Sequence, residues 1–212
     1  MLAAAAAEPK RLVLGVDASA AAMAEASRRA ARRPDRGGLP NARFVVAAAE
    51  ALPAGLEGLA DQVTVHFPWG SLLRGLLTAD PLVLGGLARV MRPGSTLSVL
   101  VSSTDRDRAT GVGPVGKTDL AALAPGYAAH GLALTGVRPA TAADVAASRS
   151  TWGRRLGAGA RRPAWLLEVR SVPVSAGLGE AGQAGSGLVE PGGGGVHALP
   201  GVGGGEAVTD GA

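Results

Sequence analysis

The chain predicts an α/β fold, an open doubly wound sheet with an antiparallel end, on three observations. Short apolar runs of β character alternate with helix-forming stretches along the first two thirds of the sequence. The early strands empty into loops that carry acidic, small or aromatic residues, where open α/β sheets hold ligands. The last two strand-like runs, 132–138 and 164–172, bracket a helical stretch.

With 212 residues and 47% hydrophobic content the chain can bury one good core, predicting a single domain over residues 1–173. The remaining stretch, 174–212, is Gly-, Ala- and Val-rich without helical or strand period, and is predicted to be a disordered tail. The absence of cysteine excludes disulfides and cysteine-ligated metal. His66, His130 and His197 have no metal-ligand spacing, so no metal site is expected, and His66 and His130 read as structural. No apolar run reaches spanning length, and residues 1–11 lack the basic start of a secretory signal. The formal net charge of +4 hides an asymmetry. All Lys and Arg lie at or before Arg170, while Glu180, Glu190, Glu206 and Asp210 stand in the tail, so the body alone carries +8. A basic body points to a polyanionic partner, although Arg enrichment is also what a GC-rich genome writes.

Residues 1–10, ended by Pro9, read as the last turns of a helix. Residues 11–17 (RLVLGVD) form a β run closed by Asp17, and Ser19 caps a helix over 20–33 that Pro34 stops. A carboxylate at such a strand end accepts ribose hydroxyls in nucleotide-binding proteins, and it equally serves plain turns. The helix carries Arg28, Arg29, Arg32 and Arg33 as pairs four residues apart, and Arg36 and Arg43 continue the series past Gly37-Gly38. Cations suit a helix C-terminus. Six arginines in sixteen residues exceed that need and point to phosphate contact.

A second strand over 43–47 leads into AAAEALP (47–53), where small residues admit a flat ring and Glu50 can accept from a base amine; a plain helix start is the alternative. The third strand, 62–66, opens into HFPWGSLL (66–73). Tryptophan is scarce, with 3 in the chain, so Trp69 between Pro68 and Gly70 is either a core plug or a ligand-facing aromatic. Helices follow over 72–77 and 81–91, then a Pro-Gly turn at 92–95, an apolar strand over 96–102 and a polar, Gly-rich loop over 104–116. Residues 119–130 are predicted helical, 132–138 a strand, and 141–156 a helix opened by a Thr141–Asp144 capping box. Arg161-Arg162-Pro163 leads into the last strand.

Five segments in order carry a resemblance: VDAS (16–19), RRAARRPDRGGLPN (28–41), AAAEALP (47–53), HFPWGSLLRG (66–75) and STWGRRL (150–156). The chain resembles the 16S rRNA adenine-N1 methyltransferases of the decoding site, the aminoglycoside-resistance enzymes within the class I S-adenosylmethionine-dependent methyltransferases. FPWGSLLRG and RRPxxGGLPN are the specific strings, whereas VDAS and the Pro-Gly turn are generic to the superfamily. The resemblance implies a Rossmann-like sheet, S-adenosylmethionine as cofactor, 16S rRNA in the 30S subunit as partner, and a cytoplasmic monomer that needs neither membrane nor metal. On matching positions, Asp17 would hold the ribose, Ala48, Ala49 and Glu50 the adenine, and Phe67, Pro68 and Ser71 the methionine end. Trp69 and Trp152 would sandwich the flipped target base, with Pro68 in the same catalytic set. Arg28, Arg29, Arg32, Arg33, Arg36, Arg155 and Arg162 would grip rRNA phosphates.

The chemistry agrees with this set. Adenine N1 is hidden by pairing or stacking, so the base must be extruded, and aromatic faces recover part of the lost stacking. N1 already bears a lone pair and a sulfonium methyl is already electrophilic, so alignment rather than a general base is the main device. One departure stands out. Class I methyltransferases open with a strand and a Gly-rich loop, which this sequence does not show. The expectation is a reading frame starting upstream of Met1, and, for the chain as written, a sheet short of a central strand, open apolar edges, and weakened stability or cofactor binding. A non-catalytic rRNA-binding remnant and a small-molecule methyltransferase are the alternatives; the latter would leave the arginines without a purpose.

Overall fold

Among the described residues six strands form two sheets, one of two strands and one of four. The computed structural model describes residues 1–104, 111–150, 153, 155, 157–159 and 162–173, all within one compact unit, Met1–Gly177. The stretch read as a tail lies outside the described residues. In chain order the elements are α1 (Leu2–Ala7), β1 (Val13–Asp17), α2 (Ala20–Ala30), β2 (Ala42–Val46), β3 (Ala60–His66), α3 (Gly70–Thr78), α4 (Pro81–Val90), β4 (Met91–Val101), α5 (Lys117–Ala121), α6 (Ala124–Ala128), β5 (Leu132–Pro139), α7 (Ala142–Ser148) and β6 (Trp165–Ser171).

The first piece is the parallel pair β1–β2, with Val13 opposite Ala42 and Asp17 opposite Val46. The second has the order β3-β4-β6-β5. There β3 runs parallel to β4, while β6 inserts between β4 and β5 antiparallel to both. This is the antiparallel end that the sequence predicts. No strand among the described residues hydrogen-bonds between β1 and β3. Val16 of β1 is 43% exposed. Met1 lies against β1, where a Cβ on Gly15 would stand 2.7 Å from its sulfur; burial first, and then the charge of the amino terminus, lower the pKa of His66 at the end of β3.

Helix starts follow side-chain chemistry. Ser19 accepts from the Ala22 N–H, Asp80 from Leu82 and Val83, and Thr141 from Asp144, each satisfying amides that a first turn leaves orphaned. The main core joins Leu73 and Leu76 of α3 and Val83, Leu84 and Leu87 of α4 to Leu97 and Val99 of β4, Leu167 and Val169 of β6, Tyr127 and Leu132. Each fully buried leucine contributes about 1.5–3 kcal/mol, so this layer outweighs the caps in fixing the sheet. A second core, Phe67, Leu100, Ala140, Val145, Ala158, Ala164 and Leu166, underlies the end of β3.

Three predicted elements are corrected. The helix over 119–130 is two short helices, α5 and α6, because Pro125 has no N–H to continue the first. The helix over 141–156 stops at Ser148, where Arg149 turns left-handed at φ +50°. The Pro-Gly turn at 92–95 is absorbed into β4, whose pairing with β3 shifts between Ala60–Met91 and Gln62–Thr96, with Gly94 at φ +80° inside the irregularity.

Candidate active site and nucleic-acid interface

Parallel pairing puts the carboxyl ends of β3 and β4 side by side: His66 lies opposite Leu100, and the Phe67 N–H donates to the Leu100 carbonyl at 2.7 Å. The chain then reverses through two left-handed residues, Phe67 at φ +51° and Gly70 at φ +62°. For a phenylalanine this conformation costs about 1–2 kcal/mol, and burial offsets it. The ring is 5% exposed within the second core and lies against Gly153, where a Cβ would stand 2.3 Å from ring carbon Cε2. Holding Phe67 inward turns Trp69 outward, 65% exposed at the N-cap position of α3. Pro68 between them is half-buried, and Ser71 is exposed in the first turn. Trp69 is therefore not a core plug. Strained backbone of this kind collects at functional loops.

At the neighbouring strand end, the exposed Asp17 accepts the Ser19 N–H on Oδ1 at 2.7 Å, and its backbone carbonyl accepts the Ala47 N–H at 3.1 Å. Its second carboxylate oxygen carries no hydrogen bond, so both turn chemistry and ligand binding are served by one side chain. Ala48, Ala49 and Glu50 follow, half-buried, in a single 3-10 turn over Ala49–Ala51. Among the described residues the Glu50 side chain has no hydrogen-bond or ion-pair partner. A free carboxylate oxygen, a shelf of methyl-sized side chains and an unengaged acid suit the hydroxyls, flat ring and exocyclic amine of an adenosine. At the end of β3, partial burial and then the positive amino terminus hold the His66 imidazole below its ordinary pKa.

The basic stripe rests on the RRPDRGGLPN string. Gly37 takes φ +78° to end a 3-10 turn over Pro34–Arg36, and a Cβ on Gly38 would stand 1.7 Å from the Arg32 carbonyl oxygen, so only glycine lets the chain fold back on α2. Leu39 then donates to the Ala30 carbonyl at 2.9 Å. Asn41 Nδ2 reaches the carbonyls of Ala5, Glu8 and Arg11 at 2.9, 3.1 and 2.9 Å, tying α1 to β2. On this frame Arg28, Arg29, Arg32, Arg33 and Arg36 are all exposed. Arg28 pairs with Glu25 at 3.1 Å and Arg33 with Asp35 at 3.5 Å, surface pairs of small energy; the side chains of Arg29, Arg32 and Arg36 have no partner among the described residues.

Of the second predicted cluster, Trp152 lies outside the described residues, and Arg155 is exposed. Arg162 is half-buried and differs from the surface arginines. Its Nε donates to Ser102 Oγ at 3.0 Å and its Nη2 to the Ser102 carbonyl at 3.4 Å, while Ser102 Oγ donates to the Pro163 carbonyl at 2.6 Å. Part of the guanidinium thus fastens residues 162–163 to the end of β4. The sequence reading missed Ser102, for which a serine ending a buried apolar strand was the available signal. Among the described residues no group of three or more His, Cys, Asp or Glu could hold a metal ion, and no single helix is long and apolar enough to cross a membrane.

Known proteins are similar to this chain in sequence and fold. A family model described as NpmA, 16S rRNA (adenine(1408)-N(1))-methyltransferase, matches residues 1–171. The 16S rRNA (adenine(1408)-N(1))-methyltransferase of Streptoalloteichus hindustanus is 40% identical over 153 residues, 70% of this chain and 70% of the relative. A tryptophan-to-alanine mutant of the 16S rRNA (adenine(1408)-N(1))-methyltransferase from Catenulisporales acidiphilia, solved with cosubstrate SAM, superposes with a TM-score of 0.74 at 33% identity, covering 84% of this chain and 82% of that one. The aminoglycoside resistance methyltransferase NpmB1 gives 0.67 at 35% identity, covering 81% of each chain. With a family model matched over residues 1–171 and a relative 40% identical over 70% of both chains, this chain belongs to the 16S rRNA (adenine(1408)-N(1))-methyltransferase family.

Proposed function

We infer that this protein is an S-adenosylmethionine-dependent enzyme that methylates N1 of the decoding-site adenine of 16S rRNA and thereby confers aminoglycoside resistance. The observation that carries the reading is Trp69: an aromatic turned into solvent by a strained strand-end loop, on a body whose exposed arginines Arg29, Arg32 and Arg36 have no partner among the described residues. An exposed, unpaired arginine row favours a polyanion over a small-molecule substrate.

Asp17 holds the cofactor's ribose hydroxyls on its free oxygen, Ala48 and Ala49 give the adenine a flat seat, and Glu50 accepts from its amine. Pro68 and Ser71 line the methionine end, and Phe67, buried at the same turn, fixes their position from beneath. When bound, S-adenosylmethionine supplies an electrophilic sulfonium methyl group. Trp69 stacks on the extruded adenine and Trp152 covers its other face, which recovers about 1–3 kcal/mol of lost stacking per aromatic contact. Orientation of N1 is the chief contribution of the residues, since no proton has to be removed before the methyl group is accepted. Arg28, Arg29, Arg32, Arg33, Arg36, Arg155 and Arg162 grip phosphates. Residues 1–173 form the methyltransferase domain, acting as a cytoplasmic monomer on the assembled 30S subunit without metal.

Primer extension on 30S subunits incubated with the protein and S-adenosylmethionine tests the reading. N1-methylation blocks the Watson-Crick edge, so reverse transcriptase stops at the decoding-site adenine; read-through there, with protein bound to the subunits, leaves a non-catalytic RNA binder.

A further inference from the structure

Gly86 lies in the middle of α4, buried, and a Cβ built on it would stand 2.0 Å from the carbonyl oxygen of Ala49 and 3.2 Å from its carbonyl carbon. No side chain fits there, so the backbone of the Ala49–Ala51 turn lies directly on the backbone of the helix. Gly85, one position earlier in α4, would meet nothing within 4 Å. A second tie stands one helical turn on. Arg89 Nη2 donates to the Leu52 carbonyl at 2.8 Å, and Arg89 Nε lies 3.6 Å from Glu57 Oε1. Leu52 is itself 8% exposed in the main core. The two ties flank Glu50, whose own side chain makes no bond to the described residues. Glycine inside a helix costs about 1 kcal/mol relative to alanine, and at Gly86 close approach gives that cost a purpose.

We propose that Gly86 and Arg89 are positioning residues for cofactor binding: α4 is the platform that sets the height of the turn carrying Ala48, Ala49 and Glu50. The inference rests on the methyltransferase reading, in which that turn receives the adenine. Neither residue touches the cofactor. An alanine methyl at Gly86 lifts the Ala49 carbonyl off the helix by an ångström or more, on the order of the distance between a 2.0 Å approach and van der Waals contact, and carries the adenine seat with it. Loss of the Arg89 bond loosens the far end of the same turn without adding bulk.

The test uses the full chain and isothermal titration with S-adenosylmethionine and with S-adenosylhomocysteine, each variant measured below its own melting temperature. Gly86→Ala is expected to raise Kd about ten-fold or more and Arg89→Met about two- to five-fold, while Gly85→Ala stays within about two-fold of wild type. In steady-state methylation of 30S subunits, KM for the cofactor rises in parallel, and kcat at saturating cofactor and KM for the subunit stay put. A merely structural role lowers the folded fraction and does not split the two KM values in this way. A folded Gly86→Ala protein with the Kd of Gly85→Ala overturns the proposal. If Gly86→Ala does not fold, an unchanged Kd in Arg89→Met overturns it instead. Wild-type protein that binds neither cofactor form also overturns the platform, whereas the methyltransferase reading itself stands or falls with the primer-extension stop on 30S subunits.

Discussion

Replacing Trp69 with alanine separates an aromatic that serves the substrate from one that serves the core. The side chain is 65% exposed, so roughly a third of the 150–250 Å² that an enclosed aromatic buries is covered, worth about 1–2 kcal/mol at 25 cal/mol/Å². A tryptophan plugging the core loses about 3–5 kcal/mol on truncation. At roughly 2–4 °C per kcal/mol for a chain of this size, Trp69→Ala should lower Tm by less than about 8 °C. The rate tells the opposite story, because removing one face of a base stack worth about 1–3 kcal/mol slows methyl transfer roughly 5- to 150-fold. Single-turnover incorporation of labelled methyl into 30S subunits measures the rate, and cofactor titration checks that Kd holds within about two-fold. Trp69→Phe should keep most of the rate. A Tm loss above about 10 °C with an unchanged rate per folded molecule would refute the argument.

Changing Arg29, Arg32 and Arg36 together to alanine should weaken binding to 30S subunits and flatten the dependence of log K on log salt by about one unit per lost phosphate contact; an unchanged slope would place the RNA elsewhere. Tyr127, the chain's single tyrosine, is fully buried and donates to the Leu76 carbonyl at 3.0 Å, so Tyr127→Phe should cost about 1–3 kcal/mol in urea unfolding. Burial pushes the Tyr127 hydroxyl up, so phenolate absorbance should stay flat through the ordinary tyrosine range near pH 10 until the protein unfolds, and stability should fall as pH rises past that range. The Arg138 guanidinium, bonded to both oxygens of Asp144 at 2.7 and 2.9 Å, and then Thr141 hold the Asp144 carboxyl below the usual carboxylate range. Its folded pKa is depressed, so its contribution is present above about pH 4 and lost as pH falls through the folded value. Asp144→Asn should therefore lower Tm at neutral pH, by the equivalent of about 1 kcal/mol for a lost cap, and the gap from wild type should close in acid.

What the sequence made legible was local in origin. The strand ends at Asp17 and His66, the caps Ser19, Thr141 and Asp144, and the arginine stripe all follow from spacing along a few residues. The helix breaks were less visible. Pro125 marks one, whereas Arg149 adopts a left-handed turn with no glycine to announce it. Contacts between distant segments left no local trace: Arg162 binds Ser102 across 60 positions, and Gly86 reads as an ordinary helix-weakening residue until Ala49 is seen resting on it. Phe67 shows the same limit. Its motif marks a site loop, but the inward turn that projects Trp69 depends on Gly153, far along the chain.

The division of the sheet has a consequence for handling the protein. Among the described residues β1 and β3 each have one side with no hydrogen-bonded strand. The rows of amide and carbonyl groups on those sides border valine side chains at Val13, Val16, Val63 and Val65. Such rows are templates for strands of other molecules. Self-association should therefore compete with folding, and refolding yield should fall with protein concentration, readable as light scattering that grows faster than linearly and is suppressed in dilute solution.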